Sequence, residues 1–111
     1  MAFDKKVNHF LNKYLSKITS MYASDEMWLW GSRAHGSPGE YSDIDLIVVS
    51  NKFSDIKFTK RMYKFIESIG LLTDRSTEVV DVLCYTPDEF ARKKDQISIV
   101  SEALKTGIRI I

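Results

Sequence analysis

A chain of 111 residues is the size of one folded domain, and 44% hydrophobic with 12% aromatic content excludes a disordered or low-complexity polymer. Sixteen Lys and Arg against fifteen Asp and Glu leave a formal charge of +1. That balance argues against a protein that holds nucleic acid by bulk electrostatics, while leaving room for a local basic surface or for a small nucleotide whose phosphates meet metal ions.

From Phe3 to about Ser20 the apolar positions Phe3, Val7, Phe10, Leu11, Tyr14, Leu15 and Ile18 step at helical spacing, with Lys5, Lys6, Lys13 and Lys17 largely on the wet side. Met27-Trp28-Leu29-Trp30 reads as a short buried strand stopped by Gly31, and Gly31 to Gly39 as a loop with a short helix from Ser32 to about His35. Ile44 to Val49 is β-branched and apolar, the pattern of a central strand. Phe58, Met62, Phe65, Ile66 and Ile69 predict a helix that Gly70 stops. Glu78 to Tyr85 is the third strand; Thr86 then caps a helix that has Pro87 in its first turn. A last helix covers roughly Ile97 to Lys105, and Ile108 to Ile111 forms a short edge strand. The sum is one α/β (α+β) domain over residues 1–111, a small mixed sheet with helices packed on it. Cys84 is the one cysteine, so no internal disulfide can form. The apolar runs are too short for a membrane span and no signal-peptide core is present, so a cytoplasmic chain is expected.

The chemistry lies in Trp28-Leu29-Trp30-Gly31-Ser32-Arg33-Ala34-His35-Gly36 and in Tyr41-Ser42-Asp43-Ile44-Asp45-Leu46. Residues two apart on a strand share a face, so Asp43 and Asp45 project together and Ile44 and Leu46 point the other way. Paired carboxylates repel unless a cation lies between them, and hard oxygen donors suit Mg²⁺. Asp81 sits among Val79, Val80, Val82 and Leu83, where an unpaired charge is costly. If its strand lies beside the Ile44 strand, three acids could hold two ions about 3.5–4 Å apart. Gly31 lets backbone pass close to a phosphate, Ser32 can add a hydroxyl hydrogen bond, and Arg33 is placed in sequence to meet the same anion.

Gly-Ser, ten residues, then Asp-x-Asp inside a hydrophobic strand resembles the signature of the DNA polymerase β-type nucleotidyltransferase superfamily. The Gly31-Ser32-Arg33-Ala34-His35-Gly36 stretch and the short chain resemble, more narrowly, its minimal nucleotidyltransferases, over about Trp28 to Leu83. The resemblance implies that Gly31 and Ser32 bind nucleotide phosphate and that Asp43, Asp45 and Asp81 hold two Mg²⁺ ions. It further implies transfer of a nucleoside monophosphate, AMP from ATP or another nucleoside triphosphate, to a hydroxyl acceptor. Such domains are frequently encoded with a HEPN-type toxin and act as its antitoxin, in some pairs by attaching AMP to a tyrosine of that partner. The His35 position is often Arg in the family.

Plainer readings stand beside these. His35 reads as a loop histidine and Cys84 as a small buried hydrophobe. Trp28 and Trp30 pack in the core or at an interface. The runs Lys57, Lys60, Arg61, Lys64 and Arg92, Lys93, Lys94 read as solvated faces, with an acidic or RNA partner as the other reading. The Ile97, Val100, Leu104 stripe is core, or a face with which a small domain forms a homo-oligomer. The rival function is an antitoxin that blocks its partner by contact alone; a third is transfer to RNA or to a small molecule such as an aminoglycoside.

Overall fold

A computed structural model describes residues 3–34, 43–96 and 98–111. Helix α1 (Lys5–Tyr22) begins where the Asp4 carboxylate accepts from the Lys6 and Val7 amides, both at 2.9 Å, and ends at Ala23 in a left-handed conformation. Its buried residues Val7, Phe10, Leu11, Tyr14, Ile18 and Tyr22 form one stripe. Strand β1 (Glu26–Trp30) follows, then β2 (Ile44–Val49), helix α2 (Phe58–Ser68), strand β3 (Val80–Tyr85), helices α3 (Pro87–Lys94) and α4 (Ile99–Thr106), and strand β4 (Ile108–Arg109).

The expected elements form, with shifted ends. The third strand starts at Val80 rather than Glu78, although the Val79 carbonyl already accepts from the Ile44 amide at 2.9 Å. The last helix starts at Ile99, because Ser98 caps it by accepting from the Ser101 amide; Ile97 lies outside the described residues. Thr86 caps α3 as expected, in a reciprocal capping box with Glu89. Of the helix expected from Ser32 to His35, the described part is one turn, closed by the Ala34 amide on the Gly31 carbonyl at 3.0 Å.

The sheet runs β3-β2-β1-β4, with β2 and β3 parallel and β1 antiparallel to both of its neighbours. This mixed sheet is the α/β arrangement that the sequence predicts. Strand alternation divides its faces. Met27, Leu29, Ile44, Leu46, Val48, Val80, Val82 and Cys84 pack against the buried stripe of α1 and against Phe65 and Ile69 at the end of α2. On the other face Ile47, Val49 and Tyr85 pack against Phe90 of α3 and Val100 and Ala103 of α4, with Trp28, Trp30, Leu83 and Leu104 alongside. Val100 and Leu104 thus contribute to this core. Among the described residues, no helix is long and apolar enough to cross a membrane.

Candidate functional site

Asp45 and Asp81 are register partners in the parallel β2–β3 pair, so their side chains leave the same face from adjacent strands about 4.8 Å apart. That face is the one that bears Ile47, Leu83 and Tyr85 further along the strands. Asp43, two residues before Asp45, stands just ahead of β2 and is exposed, as is Asp81, whereas Asp45 is half-buried. Burial, the Asp81 charge and the Asp43 charge, in that order, push the Asp45 carboxyl up to about 6 from an ordinary 3.8. Asp45 therefore feels the charge of both other acids. Among the described residues none of them is ion-paired with a Lys or Arg. Nor, among those residues, do three His, Cys, Asp or Glu side chains approach closely enough to enclose a metal ion.

Gly31 joins this group from β1. Its φ is +74°, a conformation that favours glycine, and a Cβ placed on it would overlap Asp45 Oδ2 and lie 3.2 Å from Asp45 Cγ. The turn backbone is thus pressed against the half-buried carboxylate, which puts Gly31 and Asp45 in one place. Ser32, half-buried, occupies the turn that follows.

Arg33 has a different position from the one its sequence neighbours suggest. Its side chain is 4% exposed, and Nη1 donates to Asp4 Oδ2 at 3.1 Å. Burial pushes the Asp4 carboxyl up, but the Val7 and Lys6 amides and the Arg33 guanidinium outweigh it and hold the carboxyl below its ordinary value. Asp4 therefore caps α1 and at the same time fixes the Gly31–Ala34 turn through Arg33. A guanidinium buried in this way supports the turn. An Asp just ahead of a helical run is a local signal for a cap, which the periodicity from Phe3 concealed, and no local pattern links residues 4 and 33.

Trp30 is the neighbour that the sequence left as generic core. It is the register partner of Asp45 across the β1–β2 ladder, so its half-buried side chain leaves the same face of the sheet. Its Nε1 is buried and meets no hydrogen-bond acceptor among the described residues. The alternation of Trp28 and Trp30 with Met27 and Leu29 carries that signal, once Asp45 is known to face the same side. His35 lies outside the described residues.

Arg61 corrects the reading of a solvated basic run. It is 5% exposed, and donates to the carbonyls of Ile56 (2.8 Å) and Cys84 (3.2 Å) and to both Glu89 carboxylate oxygens (2.6 and 3.3 Å). The guanidinium ties α2, β3 and α3 together. Cys84 is buried as expected, with its thiol pushed up to about 12 by burial, so it is inert at neutral pH.

Comparison with known proteins bears on the fold and the family. The nucleotidyltransferase domain family matches residues 11–106. No curated protein matches the chain. Among solved structures, a candidate nucleotidyltransferase from Sulfolobus solfataricus, known from a crystal structure at 1.40 Å, superposes with a TM-score of 0.58 at 23% identity. The match covers 84% of this chain and 78% of that one, and at that identity it speaks for the fold. With most of its length matched, the chain belongs to the nucleotidyltransferase domain family, and nucleotidyl transfer from a nucleoside triphosphate is the activity that this membership carries.

Proposed function

We propose that residues 1–111 act as one minimal nucleotidyltransferase domain that transfers AMP from ATP to a hydroxyl of a protein partner, a tyrosine of a HEPN-type toxin, and so serves as its antitoxin. The observation that carries the catalytic part is the convergence of Asp45, Asp81 and Gly31 on one end of one sheet face. The donor set fits a hard divalent cation: three carboxylates, no competing cation paired to them among the described residues, and one of the three held partly protonated near pH 6 by the other two and by burial. Rotation about χ1 and χ2 is the freedom these short side chains have for closing on an ion.

In this reading Asp43, Asp45 and Asp81 hold two Mg²⁺ ions, whose chemistry when bound is to neutralise charge on the phosphates and the attacking oxygen. The Gly31 backbone and the Ser32 hydroxyl hold the β- and γ-phosphates. Asp81 accepts the proton of the acceptor hydroxyl as that oxygen forms its bond to the α-phosphorus, and the bond from the α-phosphorus to the bridging oxygen breaks, releasing pyrophosphate. Arg33, acting through Asp4, positions the turn. Most of the rate comes from positioning and charge compensation.

Labelled ATP, Mg²⁺ and the protein encoded beside this one supply the test. Transfer of label to that protein by the wild type and its absence with Asp43→Asn is the expected result; equal labelling by both defeats the proposal. The open spacing of the acids favours a second reading, in which the chain neutralises its partner by contact alone. Asp43→Asn with Asp45→Asn separates the two, since a contact inhibitor keeps neutralising and an enzyme does not.

A further inference from the structure

The basic run of α3 comes to lie beside the first residue of α2. Phe58, Tyr85, Glu89, Arg92, Lys93 and Gln96 line a cavity of about 470 Å³, within the usual range of small-ligand sites of roughly 300–1,000 Å³. It is separate from the acids. Tyr85 is four residues beyond Asp81 on β3, or about 13 Å at 3.3 Å per residue.

The wall is aromatic and partly wet: Phe58 is 49% exposed, with its ring 5.4 Å from that of Tyr85 and the Arg61 guanidinium carbon 5.5 Å from its centroid. The acid in the lining is already compensated, because both Glu89 oxygens accept from Arg61. Arg92 and Lys93 are exposed and form no ion pair among the described residues. Two uncompensated cations beside a half-exposed ring define the ligand chemistry. A purely apolar ligand leaves the cations unmatched, and a bare anion leaves Phe58 in water. A flat base joined to a phosphate satisfies both, with the Gln96 amide able to donate to and accept from the base edge.

We propose that this cavity binds a nucleotide unit, base stacked on Phe58 and phosphate on Arg92 and Lys93, without divalent metal and apart from the triphosphate site at Gly31. The unit can come from a free mononucleotide or from single-stranded RNA. Two probes tell these sources apart: AMP carrying an N-methylanthraniloyl label on the ribose, and a fluorescein-labelled ten-residue oligouridylate, both followed by fluorescence anisotropy in EDTA with the full chain. Binding of either probe is expected, and the tighter of the two names the source. Arg92→Ala with Lys93→Ala should raise Kd at least tenfold and Phe58→Leu about fivefold, with unchanged circular dichroism, while Asp43→Asn and Asp81→Asn leave Kd as it was. Absence of binding by both probes, insensitivity to the Arg92 and Lys93 changes, or loss of binding with Asp81→Asn would overturn the assignment. So would competition by ribose 5-phosphate, which lacks the base, as strong as that by AMP. Because no metal is present, these outcomes do not depend on whether the chain transfers AMP.

Discussion

The two ends of the sheet treat charge in opposite ways. At the far end of β3, the buried Arg61 is fully engaged: two carbonyls and a bidentate carboxylate surround it. At the near ends, Asp45 lies beside Asp81 and feels the Asp43 charge, with no cation paired to any of the three among the described residues. A fold can carry a buried charge for its own sake only when that charge is compensated. The contrast teaches that the paired end serves stability, while the unpaired end is where the proposed function seats its ligand. Substitutions at the two ends should therefore fail in different assays.

The largest expected effect breaks function without breaking the fold. Asp81→Asn should lower nucleotidyl transfer on the order of 100- to 1,000-fold, comparable with losing one preorganised charge-stabilising group, and leave the urea midpoint near that of the wild type. A variant that keeps its rate, or that unfolds early, contradicts the assignment of this end. The converse change at the other end is Arg61→Met, which strips two carbonyls and Glu89 of their donor. It should cost about 3 kcal/mol in urea unfolding, with transfer per folded molecule kept within a few-fold. Gly31→Ala lies where the comparison is sharpest, because backbone strain and the Asp45 carboxylate meet there. It should lose about 1–3 kcal/mol of stability and weaken nucleotide binding together, measured by unfolding and by calorimetric titration with ATP and Mg²⁺.

How much of this was legible in the sequence depended on how local each cause is. Periodicity marks α1, β2 and α2, and the Thr86-Pro87 pair marks the start of α3, because these signals lie within a few residues. The Asp43–Asp45 pair was readable for the same reason, as strand alternation alone puts the two on one side. Asp81 was readable only conditionally: its side follows from alternation, but its register beside Asp45 depends on a parallel pairing across 36 residues of chain. Burial of a cation is decided by distant partners, so the Arg33 contact with Asp4 and the burial of Arg61 against Glu89 and Cys84 were not readable from their neighbours in sequence. Gly31 was readable as a turn, while its contact with Asp45 was not, since nothing in one strand reports what the next strand presses against it.

The smallest effect is also the one whose sign separates a ligand site from a structural one. With its folded pKa raised to about 6 from an ordinary 3.8, Asp45 contributes stability that is complete below about pH 3.8 and lost as pH rises through 6, in the absence of a divalent cation. Asp4 and Glu89, both held below their ordinary values, act in the opposite sense, their contribution being present above the unfolded pKa and lost on acidification. Comparing Asp45→Asn with the wild type cancels those common terms. The variant removes a charge that the fold repels and retains the side-chain volume, so at pH 8 in EDTA it should be the more stable protein, by about 1 kcal/mol once solvent screening of a half-exposed site is allowed for. At pH 4 the difference should nearly vanish. Mg²⁺ should then stabilise the wild type more than the variant, which lacks one ligand charge. Thermal unfolding across this range decides the matter: a variant less stable than the wild type at pH 8 in EDTA would mean that Asp45 supports the fold, and that both ends of the sheet obey the same rule.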